Sequence, residues 1–161
     1  MKTTSLFKAV ALVAIMIASV LNSEVKAQDG FITNQVMNGE LVASKTIFKK
    51  DGSYLQRHMQ YTFSYDDQNR LISKEASKWD GAKDEWVPYF KMTYQYSDNE
   101  IIMNYGRWNE SHKAIQKSVY ELNDANMPTA YKAYKQDNKS DWTLVDHKQM
   151  DFTTNLLAIA K

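Results

Sequence analysis

Alternation of apolar and polar residues with a period of two dominates this sequence and commits it to extended structure. Between positions 55 and 65, Leu55, Met59, Tyr61, Phe63 and Tyr65 alternate with Gln56, His58, Gln60, Thr62 and Ser64. Successive side chains of a strand point to opposite faces, so such a segment has one apolar face and one wet face. Trp86, Pro88, Phe90, Met92, Tyr94 and Tyr96 repeat the pattern, opposed mainly by Lys91, Thr93 and Gln95. Trp142, Leu144, Met150 and Phe152 follow it more weakly, because Asp146 and Lys148 interrupt the face. No segment after residue 27 carries a helical stripe.

The turn residues agree with this reading. Asn38-Gly39, Asp51-Gly52 and Asp80-Gly81 are pairs that tolerate the positive φ angles of tight hairpins. Further turns fall at 66–69, 97–99, 109–112, 123–126 and 136–139, where Asp, Asn and Ser gather. Gly106 lies inside a strand-like run and is expected at a bulge. Cutting at the turns predicts about nine strands, near 31–36, 41–49, 53–65, 70–79, 85–96, 100–108, 115–122, 128–136 and 141–152. Every connection is short, so the expected fold is all-β, an antiparallel meander joined by tight hairpin turns. To bury its apolar face the sheet must curl or close into a barrel-like form. Pro88 and Pro128 cannot donate to a ladder, so each is expected at a strand start, a bulge or an unpaired edge.

Residues 1–27 read as a cleavable secretory signal peptide, and residues 28–161 as a single β domain. Lys2 and Lys8 precede an uncharged apolar run from Ala9 to Leu21, and Val25-Lys26-Ala27 offers small residues at the positions a signal peptidase reads. Cleavage is expected between Ala27 and Gln28. The apolar run is short of the roughly 20 residues that span a bilayer, so no membrane span is expected in the mature form. The expected location is the periplasm, the cell surface or the medium. The chain has no cysteine, which closes the lipoprotein route and leaves packing and strand pairing to hold the domain. Removing Lys2, Lys8, Lys26 and Glu24 from 20 basic and 19 acidic residues leaves a formal charge of −1. That balance argues against a nucleic-acid partner, which selects a basic face.

A loose internal repeat runs through the chain. Tyr61-x-Phe63-x-Tyr65-Asp66-Asp67 is echoed by Met92-x-Tyr94-x-Tyr96-Ser97-Asp98, and faintly by Tyr120-x-Leu122-Asn123-Asp124. Degenerate duplication and the ordinary sameness of β meanders both account for it. Tyr65-Asp66-Asp67-Gln68-Asn69-Arg70-Leu71 is similar to the tyrosine–aspartate repeat of bacterial cell-surface proteins, in which the turn links two strands. Further segments stand beside that turn: Ser44-Lys45-Thr46-Ile47-Phe48, Lys74-Glu75-Ala76, Lys78-Trp79-Asp80-Gly81, Asp84–Met92, Arg107–Lys113 and Asn126–Tyr131. On these and the Tyr65–Arg70 turn, the chain as a whole resembles a family of small secreted Bacteroides proteins, domain of unknown function 3836. The resemblance implies export from a gut-type Gram-negative bacterium, assigns no activity and supplies no functional residues.

No pattern for metal or nucleophilic chemistry stands out. His58, His112 and His147 are not spaced as ligands of one metal ion, and no loop has the spacing of a known calcium loop. Asp66/Asp67 and Asp84/Glu85 are adjacent pairs, which in a strand point to opposite faces and cannot flank one glycosidic bond. There is no Cys and no G-x-S-x-G element. No catalytic residues, metal ligands or cofactors are expected, and the protein is read as a non-enzyme.

The aromatics carry what functional promise there is. Trp79, Trp86, Trp108 and Trp142 cluster near strand ends, and Tyr89 falls on the face opposite the presumed core. Exposed Trp and Tyr suit sugar rings or extended peptides. The competing account is that they cap the core and pair across strands. The leading expectation is a non-catalytic module binding a glycan or an envelope protein. The alternative is a structural role in the envelope through strand-edge association.

Overall fold

The computed structural model describes residues 30–107, 115–137 and 140–150. They form nine strands: β1 (Phe31–Asn38), β2 (Leu41–Asp51), β3 (Tyr54–Tyr65), β4 (Leu71–Asp80), β5 (Glu85–Tyr96), β6 (Glu100–Arg107), β7 (Gln116–Leu122), β8 (Pro128–Gln136) and β9 (Trp142–Gln149). Each pairs antiparallel with its neighbour in sequence, giving one sheet in the order β1 to β9. The expected meander is thus observed. The sheet curls and does not close: β1 and β9 form its two edges.

One face, here called inner, holds the core. Ile47, Met59, Tyr61, Phe63, Leu71, Ala76, Phe90 and Tyr94 form a buried cluster from four adjacent strands, β2 to β5. Residues opposite one another in a ladder share a face, and the pairs Ile47↔Met59, Tyr61↔Ala76 and Ala76↔Phe90 carry the core across those strands. The Tyr61 and Phe90 rings lie 6.4 Å apart although a strand separates their own. Between them the Lys74 ammonium lies 4.6 Å from the Tyr61 ring centroid and 5.8 Å from that of Phe90. A cation that would be costly in an apolar core is here met by ring faces.

Six β-bulges divide the ladders, and they change which residues reach the core. On β3 the register passes from Ile47↔Met59 to Phe48↔Arg57, so His58 is the extra residue. On β5 it passes from Ala76↔Phe90 to Ser77↔Pro88, leaving Tyr89 extra. On β9 it passes from Ala133↔Asp146 to Tyr134↔Leu144, leaving Val145 extra. Each extra residue reverses the phase of the alternation beyond it. Leu55, expected on the apolar face, is consequently half-exposed. Trp86 and Pro88 leave the face that Phe90, Met92 and Tyr94 occupy. Asp146 and Lys148 do not interrupt the face of Trp142 and Leu144; the bulge at Val145 puts the two pairs on opposite faces. Both prolines satisfy the expectation, Pro88 beside its bulge and Pro128 at the start of β8. Gly106 does not: it stands in regular register opposite Lys91.

The internal repeat has a structural counterpart in the turns. At 66–70 the Asp66 carboxylate accepts from the Gln68 and Arg70 backbone N–H groups, both at 2.9 Å. At 123–127 the Asn123 side-chain oxygen accepts from Ala125 and Met127 N–H, both at 3.0 Å. Asn69 and Asn126 occupy the same left-handed step, at φ 60° and 57°. Each turn is followed by a fully buried residue, Leu71 in one and Pro128 in the other, and then by a bulge, at Ile72 and Thr129. The Tyr65 hydroxyl donates to the Val42 carbonyl at 3.0 Å and the Tyr96 hydroxyl to the Leu71 carbonyl at 2.7 Å, so the shared tyrosine ties the end of its strand to the strand before it.

Candidate functional site

The outer face gathers a second aromatic group at the end of the sheet formed by the 52–53 and 81–84 turns. Trp79, one residue from the end of β4, pairs directly with Trp86, one residue into β5. Their rings meet edge to face, with centroids 5.1 Å apart and planes at 70°. Such a pair contributes about 0.5–1.5 kcal/mol beyond area burial. The Arg57 guanidinium lies over the Trp79 ring, 4.4 Å from its centroid. The same guanidinium reaches the Asp84 carboxylate at 3.8 Å, a long and exposed contact worth little by itself.

Around these groups opens a cleft of about 630 Å³ lined by Phe48, Leu55, Gln56, Arg57, Trp79, Gly81 and Asp84. The bulge at His58 builds it, because Phe48 and Arg57 are opposite one another only after the register shift. The turn from β4 to β5 supplies its rim. The Asp80 carboxylate accepts from Ala82 and Lys83 N–H, at 3.0 and 3.3 Å, and Asp84 takes the left-handed step at φ 54°. Gly81 keeps one side open: a Cβ there would stand 4.0 Å from the Trp79 indole nitrogen, and a longer side chain would cover it.

The other proposed ligand residues do not join this group. Tyr89 is turned by its own bulge against the core cluster, with Lys78 3.8 Å from its ring centroid, so its expected place opposite the core is corrected. Trp142 opens β9 on the far side of the sheet, about 19 Å from β5 at four strand spacings. There Lys117 lies 4.6 Å from the Tyr134 ring centroid and 5.0 Å from that of Trp142. Trp108 lies outside the described residues, as do His112, Ala27 and Gln28. The sequence does not single out Phe48, Leu55, Gln56, Arg57, Gly81 or Asp84 as site residues. Their sequence signal is ordinary, since a cation within a polar series becomes an indole's partner only through strand register.

A hollow of about 350 Å³ at the opposite end of the sheet is lined by Asp98, Asn99, Leu122, Asn123, Asp124 and Asn126. Its Asn123 side chain is spent on turn backbone, as is the Ser97 hydroxyl beside it, which accepts from Glu100 N–H at 3.2 Å. Among the described residues no three His, Cys, Asp or Glu side chains are grouped to hold a metal ion.

The family described as a family of unknown function, DUF3836, matches residues 1–122. The chain belongs to the DUF3836 family. The fold is shared with a solved protein of unknown function from Bacteroides fragilis, at 22% identity and a TM-score of 0.69, over 81% of this chain and 96% of that one. A DUF3836 protein from Bacteroides vulgatus is 25% identical over 76% of this chain and all of its own, with a TM-score of 0.47. Another from Parabacteroides distasonis is 29% identical over 60% of this chain and 92% of its own, with a TM-score of 0.48. No curated protein matches the chain. DUF3836 membership agrees with the motifs at Tyr65–Arg70 and Asp84–Met92 and brings no activity with it.

Proposed function

We propose that this DUF3836 protein is an exported, non-catalytic binding module that takes a glycan in the cleft beside Trp79. The observation that carries the reading is the indole held between Trp86 and Arg57 at the wall of an open cleft. A sugar ring presents C–H groups that pack on an indole and hydroxyls that bond to charged and amide groups at the rim. Arg57, Gln56 and Asp84 provide such groups around Trp79. An indole already fixed by its neighbours loses little conformational freedom when a ligand docks.

The cleft lining supports binding without turnover. Glycoside hydrolysis by the usual route needs two carboxyl groups across the bond, and the lining contributes Asp84, which is engaged with Arg57. Export rests on the signal-like residues 1–27, and a mature protein whose first residue is Gln28 is the expected product.

Glycan-array binding compares wild type with Trp79→Ala, Arg57→Ala and Trp142→Ala. Loss of the wild-type hits in the first two variants and their retention in the third is the expected pattern. Absence of any hit, or hits that survive Trp79→Ala, would remove the cleft from consideration.

A further inference from the structure

The two edges of the sheet differ in a way that bears on self-association. β9 carries Asp146, His147 and Lys148 in succession, and charged side chains on an edge strand oppose pairing with another strand. β1 carries no charged residue and no proline along Phe31-Ile32-Thr33-Asn34-Gln35-Val36-Met37-Asn38. Ile32, Val36 and Met37 on it are 45%, 56% and 50% exposed. The bulge between β1 and β2 falls on Ala43 of β2, so β1 itself runs regularly from end to end. No described residue pairs with its outer edge.

The direction of its backbone groups follows from one hydrogen bond. Gly30 directs its carbonyl into the sheet, where it accepts from Lys50 N–H at 2.7 Å. Inward and outward groups alternate along an antiparallel strand, so Ile32, Asn34 and Val36 also point theirs inward. Phe31, Thr33, Gln35 and Met37 direct theirs outward, unpaired.

We propose that β1 pairs antiparallel with β1 of a second copy of this chain, about a twofold axis at Asn34. In that register Thr33 faces Gln35 of the second copy, so outward donors and acceptors meet one another. Ile32 faces Val36 of the second copy in the closer, non-hydrogen-bonded type of pair, on the outer face. The strand is therefore complementary to itself in both its hydrogen bonds and its side chains, as a closed twofold interface requires. A second copy is the occupant because an uncharged edge meets an uncharged edge, whereas pairing β1 with β9 would set apolar residues against Asp146 and Lys148.

Sedimentation of the full chain over a concentration series tests this, with circular dichroism confirming that each variant is folded. Gln35→Pro removes an outward N–H and leaves the β1–β2 ladder intact, and it is expected to weaken association at least about tenfold. Asn34→Lys or Asn34→Glu alone sets like charges opposite one another at the axis and is expected to weaken association about fivefold. An equimolar mixture of the two is expected to associate more tightly than either alone. His147→Pro, on the opposite edge, is expected to have no effect. A wild-type chain that stays monomeric overturns the proposal. So does association that survives both Gln35→Pro and the Asn34 variants, or that is lost only in His147→Pro.

Discussion

Arg57 and Trp79 are in face-on contact on the outer side of the sheet, with the guanidinium carbon 4.4 Å from the indole centroid. They come from adjacent strands and meet because the His58 bulge carries Arg57 to that face. Arg57→Ala is expected to cost about 0.5–1 kcal/mol, the range for a cation over a ring at an exposed site. Urea denaturation measures it. Asp84→Ala, which removes only the long ion pair, is expected to be nearly neutral in the same assay.

Trp86 meets Trp79 because Tyr89 is left out of the β4–β5 register. Deleting Tyr89 makes that ladder regular while Ala76↔Phe90 and Trp79↔Trp86 keep their partners, so Trp86 stays on the outer face. The expected result is retention of the paired-indole signal in circular dichroism, with a loss of about 1–3 kcal/mol from removing the ring that packs against the core cluster. Disappearance of that signal in a folded deletion variant would contradict the role assigned to the bulge.

These bulges also mark where the sequence could be read and where it could not. The turns and strands were legible because Asn-Gly, Asp-Gly and the alternation around Tyr61 act locally. The face of Trp86 was not, because Trp86, Pro88 and Phe90 keep perfect period two while the chain between them gains a residue relative to β4. Pro88 was the available hint, since a proline in a central strand asks for a bulge. The cleft was hidden for the same reason: Phe48, Arg57 and Trp79 are brought together by register, which a single strand's pattern does not carry.

Asp66 gives the turn at 66–70 a dependence on acid. Burial opposes its ionisation, but the hydrogen bonds from Arg70 and Gln68 and the Arg70 charge prevail and hold its pKa below the ordinary value. The folded state therefore binds its proton less readily than the unfolded chain. Its stabilising effect is present above the unfolded-state pKa near 4 and is lost as pH falls through the lower folded value. Urea midpoints taken downward from about pH 5 are expected to fall more steeply for wild type than for Asp66→Asn.

Tyr94 gives the opposite edge of the pH range. Burial first, and the neighbouring Tyr120 second, push its hydroxyl up to about 12. The folded state thus keeps the proton after the unfolded chain has lost it near pH 10. Stability is expected to be unaffected by this group below that value and to fall as pH rises toward 12. Tyrosinate absorbance should show Tyr94→Phe lacking one late-titrating phenol.

The cleft beside Trp79 is the central claim, and the indole N–H resonances of the four tryptophans report on it directly. A glycan identified on the array is titrated into labelled protein while those resonances are followed. The indole signals of Trp79 and Trp86 are expected to shift together and saturably, with that of Trp142 unmoved. A shift confined to Trp142, or no shift in any indole at saturating glycan, would contradict the account.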